Sequence, residues 1–364
     1  MTVAGAGFNL ELLKPLAAVF LFAATQSPIL GVDREKDTAG TEIGIVTTLA
    51  GSAGSGGHTD GTGSEALFAS PKAMSTDHAG NIYTVDNFCG TLRKITPNGN
   101  VTTIAGPTTG CAFGSTDGTG SAARFNSPSG TTVDSAGNIY VADSGNCSLR
   151  KVTRAGMVTT VAGSPSACVS MDGPKSVARF NHLAGAAVDK ADNIYVTSWY
   201  DCTVRKVTQA GEVSTVAGVS ALCSSVDGEG SGARFGNPSG IAVGSDGNFF
   251  IADETGCAIR KMTPSGVVTT LAGKIGSCGS ADGTRDAARF NVPSWTAVDE
   301  SGNVYVSDYL NFTVRKVSRT GVVTTLAGLA GTIGSADGVA VDSAANVYVA
   351  DRNNNTIRKI RIPD

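Results

Sequence analysis

Six residues, VTTVAG at Val158–Gly163, recur six times along this chain with small changes. The other copies begin at Val46, Val101, Val213, Val268 and Val323, at steps of 55, 57, 55, 55 and 55 residues. A period of that length marks an architecture made by repeating one supersecondary unit, and it restricts the fold before any other property is weighed.

One unit, read from Gly130, is GTTVDSAGNIYVADSGNCSLRKVTRAGMVTTVAG. Four runs rich in Val, Ile, Thr and Tyr are separated by the turn-forming segments SAGN, DSGNC and TRAG, which predicts an antiparallel meander of four strands, a to d. Strand b returns in GNIYTVD at Gly80, DNIYVTS at Asp192, GNFFIAD at Gly247, GNVYVSD at Gly302 and ANVYVAD at Ala345; strand c returns as TLRKI, SLRKV, TVRKV, AIRKM, TVRKV and TIRKI. With 47 glycines to supply tight turns and no sustained 3.6-residue period, helices have little place here. Four-stranded units repeated radially make a β-propeller, in which only short, protected edges remain.

The ends fix the number of blades. The first repeat element is a lone d strand at Val46, and the last unit stops after strand c at Ile360. Five whole units and one split unit give an all-β, six-bladed propeller whose ring is closed by the N-terminal outer strand joining the C-terminal a, b and c strands. The step from Asp308 to Asp351 is 43 residues against 55 for Asp253 to Asp308, so the bare blade is short and the other units carry an insertion like DGTGSAARF at Asp117–Phe125.

Blades such as GNIYVADSGNCSLRKVT resemble the NHL-repeat family, and the resemblance runs from about Ile43 to the C-terminus. Neither the WD dipeptide nor a YWTD motif is present. The resemblance implies the architecture; NHL propellers serve very different functions, so it is a weak guide to activity.

The N-terminal stretch stands outside the repeat. Lys14 precedes an uncharged run, PLAAVFLFAATQSPILGV, whose apolar heart Leu16–Ala24 suits the core of a secretory signal better than a bilayer span. The expected organisation is a signal peptide or N-terminal anchor over 1–32, a linker over 33–42 and the propeller over 43–364, with no membrane span in the mature protein. The net charge of −3 and 16% charged residues argue against nucleic acid as a partner.

Eight cysteines read in order as pairs: Cys89 with Cys111, Cys147 with Cys168, Cys202 with Cys223, and Cys257 with Cys278, at separations of 22, 21, 21 and 21. The first of each pair follows strand b and the second follows strand d. In an alternating meander the b–c and d–a loops emerge on one face, so the partners can meet. Pairing each d–a cysteine with the next blade instead would strand Cys89 and Cys278. No C-x-x-C spacing supports a metal use. Four disulfides imply an oxidising compartment, hence a secreted, periplasmic or cell-surface location.

Residues common to all blades serve the ring; departures are candidates for a site. The Asp ending strand b (Asp86, Asp143, Asp253, Asp308, Asp351; Ser198 in blade 3) is read as a turn acceptor, and the Arg-Lys pairs of strand c as interblade and surface groups. The Asp-Gly insertions offer too few carboxylates for calcium; their Phe is expected to plug the gap between blades. Some NHL-like propellers are lyases using several histidines, but only His58, His78 and His182 exist here, dispersed. Lys72, Ser129, Ser239, Ser294 and Asp337 start strands a near the axis without repeating the Glu, Asn and Asp set of gluconolactonase-like hydrolases. The face opposite the cysteines, made of tight turns, is expected to leave little room for chemistry. No catalytic or metal-ligating set and no cofactor is expected.

The aromatic departures point elsewhere. Blade 3 carries SWYDC, giving Trp199, Tyr200 and Asp201, and blade 5 carries Trp295 where others have Gly or Ala, with Tyr309 and Phe312 in YLNF. Together with Glu254 of blade 4, these loops are expected to frame a cleft on the disulfide face, with Trp199, Tyr200, Asp201, Glu254, Trp295 and Tyr309 as ligand-binding residues. The expected function is a monomeric binding module for a protein or glycan. The alternative is a metal-assisted lyase or hydrolase with its site at the channel mouth.

Overall fold

The computed structural model describes residues 33–36, 42–165, 167–328 and 331–362. The expected signal or anchor over 1–32 lies outside them. Six antiparallel sheets form a six-bladed propeller. Blade 1 runs Pro71–Thr76, Ile82–Asp86, Thr91–Ile95 and Asn100–Ala105 as strands a to d, and blades 2 to 5 follow the same order, with inner strands at Pro128–Val133, Leu183–Val188, Pro238–Val243 and Pro293–Val298. Blade 6 takes Ala336–Val341, Val347–Asp351 and Thr356–Arg361 from the end of the chain and Glu42–Ala50 from its beginning. Val46 lies opposite Ile360 and Thr47 opposite Lys359, so the ring closes by the split blade that the repeat count requires.

Burial explains why these segments are strands. Every residue of every strand b is buried, since the middle of a blade is covered by a neighbour on both faces. The outer strand d alternates instead: in Asn100–Ala105, Val101 is inside while Asn100 and Thr102 face out. Inner strands lie against the inner strands of both neighbouring blades, blade 6 against blade 1 included. The approach is so close that a side chain on Gly338 would collide with the Lys72 carbonyl, and one on Gly130 with that of Ala184.

Five of the six outer edges are then blunted by an added strand, and that of blade 3 by a single bridge from Gly173 to Val213. Two-residue strands at Gly61–Thr62, Gly118–Thr119, Gly228–Glu229 and Gly283–Thr284 pair with strand d of their own blade, and Asp33–Lys36, within the expected linker, pairs with Glu42–Ala50 of blade 6. Short strands of this kind leave no long unpaired edge for another chain to extend.

Two expectations about charged repeats need correction. Five of the six strand c arginines are neither interblade nor surface groups: Arg93, Arg150, Arg205, Arg260 and Arg315 are fully buried within their own units, while Arg358 of blade 6 is partly exposed. Arg93 reaches Asp86 at 2.7 Å and Asp60 at 3.0 Å, and Arg260 reaches Asp253 and Asp227, both at 2.7 Å. Below each guanidinium lies the Phe of the insertion, Phe68, Phe125, Phe180, Phe235 or Phe290, at 5.2–5.5 Å from the ring centroid. The second correction concerns the Asp ending strand b. Its side chain takes no backbone N–H from the following turn: one oxygen accepts the backbone N–H of the segment entering strand a, as Asp143 does from Asn126 at 2.7 Å and Asp308 from Asn291 at 2.7 Å, and the other holds the Asn side chain of the b–c loop in blades 2, 5 and 6. The insertion's Asp and Phe are thus the two jaws of a clamp on a buried arginine. That accounts for the recurring D-G…R-F pattern, with the Phe buried as expected and Arg124 bonded locally to the Ser121 and Ala123 carbonyls.

Candidate functional site

All four disulfides form with the expected partners: Cys89–Cys111, Cys147–Cys168, Cys202–Cys223 and Cys257–Cys278. Cys147, Cys202 and Cys257 take left-handed backbone conformations that turn the b–c loop into strand c. In blade 1 Gly90 takes that conformation and the cysteine moves one place earlier, which is why its pair is separated by 22 rather than 21 residues. The bridges tie b–c loops to d–a loops on one face of the ring.

At the centre of that face, at the mouth of the channel, is a cavity of about 340 Å³. Its floor is the second residue of each inner strand: Lys72, Ser129, Ala184, Ser239, Ser294 and Asp337. The serines belong to the ring, because Ser129 Oγ donates to the Leu183 carbonyl at 2.7 Å and Ser294 Oγ to that of Asp337 at 3.0 Å. Lys72 and Asp337 are the charged departures. The walls come from b–c loops: Ser144 in blade 2, Trp199 and Tyr200 in blade 3, Glu254 in blade 4, Tyr309 in blade 5 and Arg352 in blade 6.

The polar groups are pre-positioned. Trp199 Nε1 donates to Glu254 Oε2 at 2.8 Å, and Asn237 Nδ2 donates to the Trp199 carbonyl at 3.0 Å. Arg352 donates to Asp337 Oδ2 at 3.1 Å and to Ser70 Oγ at 2.6 Å. Burial pushes the Glu254 carboxyl above its ordinary range; hydrogen bonds from Trp199 and Ser239 and the charge of Lys72 pull it back, while Asp337 adds to the rise. His182 meets the Tyr200 ring edge-on at 4.4 Å, and burial lowers its pKa against the opposing charge of Asp201.

Of the six residues expected at the site, the cavity gathers Trp199, Tyr200, Glu254, Trp295 and Tyr309, and leaves out Asp201. Asp201 is 3% exposed and accepts from Asn181 and Ser220, both at 3.3 Å. Its carboxylate belongs to the scaffold. Blades 2, 5 and 6 have Asp at the end of strand b and a hydrogen-bonded Asn three residues on, as Asp143 and Asn146 at 2.8 Å; blade 3 has Ser198 and Asp201 at those places, so its acid has moved by three positions. Trp295 presents only a small part of its surface, being 3% exposed and packed in the core. Lys72, Asp337, Arg352 and His182 join the site although the sequence did not single them out for it. The signal for Lys72 and Asp337 was present: they are charges in a ring of small residues.

Around the mouth the disulfide face exposes Phe88, Phe113, Tyr200, Leu222, Leu310 and Phe312. The opposite face is roomier than its tight turns suggest, with a cavity of about 1210 Å³. Several of its carboxylates are committed to those turns: Asp77 holds Asn81 and Tyr83, and Asp342 holds Asn346 and Tyr348. Among the described residues the one group with metal-ligand spacing is His58 with Cys89 and Cys111, whose sulfurs are already bonded to each other.

The NHL repeat family profile matches residues 125–152. Teneurin-3 of Mus musculus is 30% identical over 233 residues, which is 55% of this chain and 8% of that protein. The chain therefore spans less than a tenth of the length of the teneurins it matches. Among solved structures, an auxiliary nutrient binding protein from Bacteroides thetaiotaomicron superposes with a TM-score of 0.66 at 16% identity, over 90% of this chain and 82% of that one. A gluconolactonase from Xanthomonas campestris superposes with a TM-score of 0.61 at 13% identity, over 94% and 99%. At these identities the structural likenesses carry the fold.

Proposed function

We propose, from the premise that this chain is an NHL-repeat β-propeller, that it works outside the reducing cytoplasm as a binding module and receives a glycan at the channel mouth of its disulfide face. The observation that carries the reading is the convergence of Trp199, Tyr309, Glu254 and Lys72, from four different blades, on one cavity of about 340 Å³. That volume falls at the small end of the ~300–1,000 Å³ typical of small-molecule pockets, too confined for the flat footprint of a protein. Aromatic walls with a few fixed polar groups suit a sugar ring, whose C–H faces stack while its hydroxyls hydrogen-bond. The exposed apolar side chains around the mouth give a longer glycan further surface to follow.

Two further observations support the setting. Four disulfides persist in an oxidising compartment, and no described helix is long and apolar enough to cross a membrane. The solved structures of similar fold include proteins described as auxiliary nutrient binding proteins.

A glycan array followed by titration calorimetry tests the reading. Trp199→Ala is expected to weaken the best glycan by roughly tenfold or more, the effect of losing an aromatic anchor. Failure of every glycan to bind, or unchanged affinity in a folded Trp199→Ala protein, refutes it. The competing reading, a metal-assisted lyase or hydrolase at the same mouth, is separated by metal analysis of protein purified without chelator: a stoichiometric transition metal favours the enzyme.

A further inference from the structure

The charges at the channel mouth are not equally matched. Asp337 and Arg352 answer each other at 3.1 Å, and Glu254 is held by Trp199. Lys72 has no hydrogen bond and no ion pair among the described residues, although it is half-buried and stands where other inner strands carry Ser, Ala or Asp. An ammonium taken partly out of water without a partner is costly, and a scaffold role would be served as well by the serine found in three other blades.

Blade 1 lies opposite blade 4 in a six-membered ring, so Lys72 and Glu254 face each other across the channel axis. The Lys72 charge reaches Glu254, yet the two do not form an ion pair. The gap between them has a cation on one side, a carboxylate acceptor on the other, and Trp199, Trp295 and Tyr309 along its flanks. A molecule that fills it needs an anionic acceptor at one end, hydroxyl donors at the other, and an apolar face between.

We propose that the ligand of this site is a carboxylate-bearing sugar, a uronic acid residue, whose carboxylate meets Lys72 and whose hydroxyls donate to Glu254. The inference rests on the glycan reading above and names the class of sugar within it. A neutral sugar leaves Lys72 unanswered. A free aliphatic amino acid satisfies both charges but leaves the aromatic flanks without a ring to stack on.

The test uses the full-length, oxidised protein and three probes: methyl β-D-glucuronide, methyl β-D-glucoside and alanine, each titrated and followed by NMR. The glucuronide is expected to bind roughly tenfold or more tightly than the glucoside, the scale of one charge-assisted hydrogen bond, and to weaken as salt is raised. In Lys72→Met, which keeps the aliphatic stem, the preference is expected to fall to less than about threefold. A second variant, Lys72→Arg, retains the charge and is expected to retain the preference. Equal binding of the two sugars, a preference that survives Lys72→Met, or alanine binding in place of the glucuronide overturns the inference. Glucoside binding without preference leaves the glycan reading standing, whereas failure of both sugars and of every longer glycan removes both.

Discussion

The Trp199 indole and the Glu254 carboxyl, on neighbouring blades, are joined by a 2.8 Å hydrogen bond at the wall of the channel mouth. The bond fixes the plane of the indole and one oxygen of the acid before any ligand arrives. What remains for a ligand is the part of the carboxyl that Trp199 and Ser239 leave open and the face of the ring, so little rotamer freedom is lost on binding.

Keeping Glu254 ionised there opposes folding. Its pKa in the folded chain lies above the ordinary 4.5, chiefly through burial, so over that interval the folded state holds more protons than the unfolded one. The corresponding stability is complete below the ordinary value and is lost as pH rises through the raised one. Glu254→Gln should therefore raise Tm at pH 7, by about 2 °C, and make little difference below pH ~4, while weakening ligand binding. Thermal scans of both proteins across pH 3–8 check the sign: a lower Tm for Glu254→Gln at pH 7 contradicts the argument.

The buried arginines and their neighbouring lysines predict opposite outcomes within one dipeptide. Arg150→Ala strands Asp143 and Asp117 and should cost about 3–5 kcal/mol. Lys151→Ala loses a loose 3.9 Å contact from a partly exposed ammonium to the buried Asp134, which Asn138 also holds, and should cost about 1 kcal/mol or less. Denaturant titration of the two variants measures the difference; similar losses would show that the Asp–Arg–Asp clamp is not what holds the insertion.

Blade 3 offers a double-mutant cycle. Ser198→Asp alone sets a second carboxylate beside the buried Asp201, and Asp201→Asn alone removes the acid of that blade. The two changes together recreate the Asp and Asn of blades 2, 5 and 6. The double variant should be more stable than the sum of the single changes by about 0.5–3 kcal/mol. Simple additivity would mean that the acid has not moved but been lost.

Ring closure is tested by removing residues 1–51. Val46 and Ala50 are fully buried, and their strand covers Thr356–Arg361. The truncated protein should lose solubility or cooperative unfolding, because that strand becomes an open edge. Unfolding curves that superpose on those of the full chain would rule out a stabilising role for the split blade.

How much of this was legible in the sequence follows from where each signal lies. The period, the meander, the split blade and the disulfides are carried by residues that repeat, and repetition within one chain is visible without a structure. Trp199 and Glu254 were found as departures from the repeat, by the same logic. The buried arginines were misread because a charged residue in a strand is ordinarily at the surface, and their partners lie both 7 and 33 residues upstream, as Asp143 and Asp117 do from Arg150. That Asp201 stays outside the cavity was not legible, because its exchange with position 198 is intelligible only once its burial is known. Lys72 of the first blade meets Asp337 and Arg352 of the last only when the ring shuts, a relation that no local pattern encodes.

The split blade also sets a clock. Val46 pairs with Ile360, so the first outer strand has no sheet to join until synthesis has passed Ile360. At roughly 5–20 residues per second, that wait is on the order of 15–60 s during synthesis. Blades 1 to 5 can form in turn over that interval, but the channel mouth cannot, since Asp337 and Arg352 arrive with the last blade. A nascent chain therefore passes through this stage without a channel mouth, and acquires one in the same event that shuts the ring.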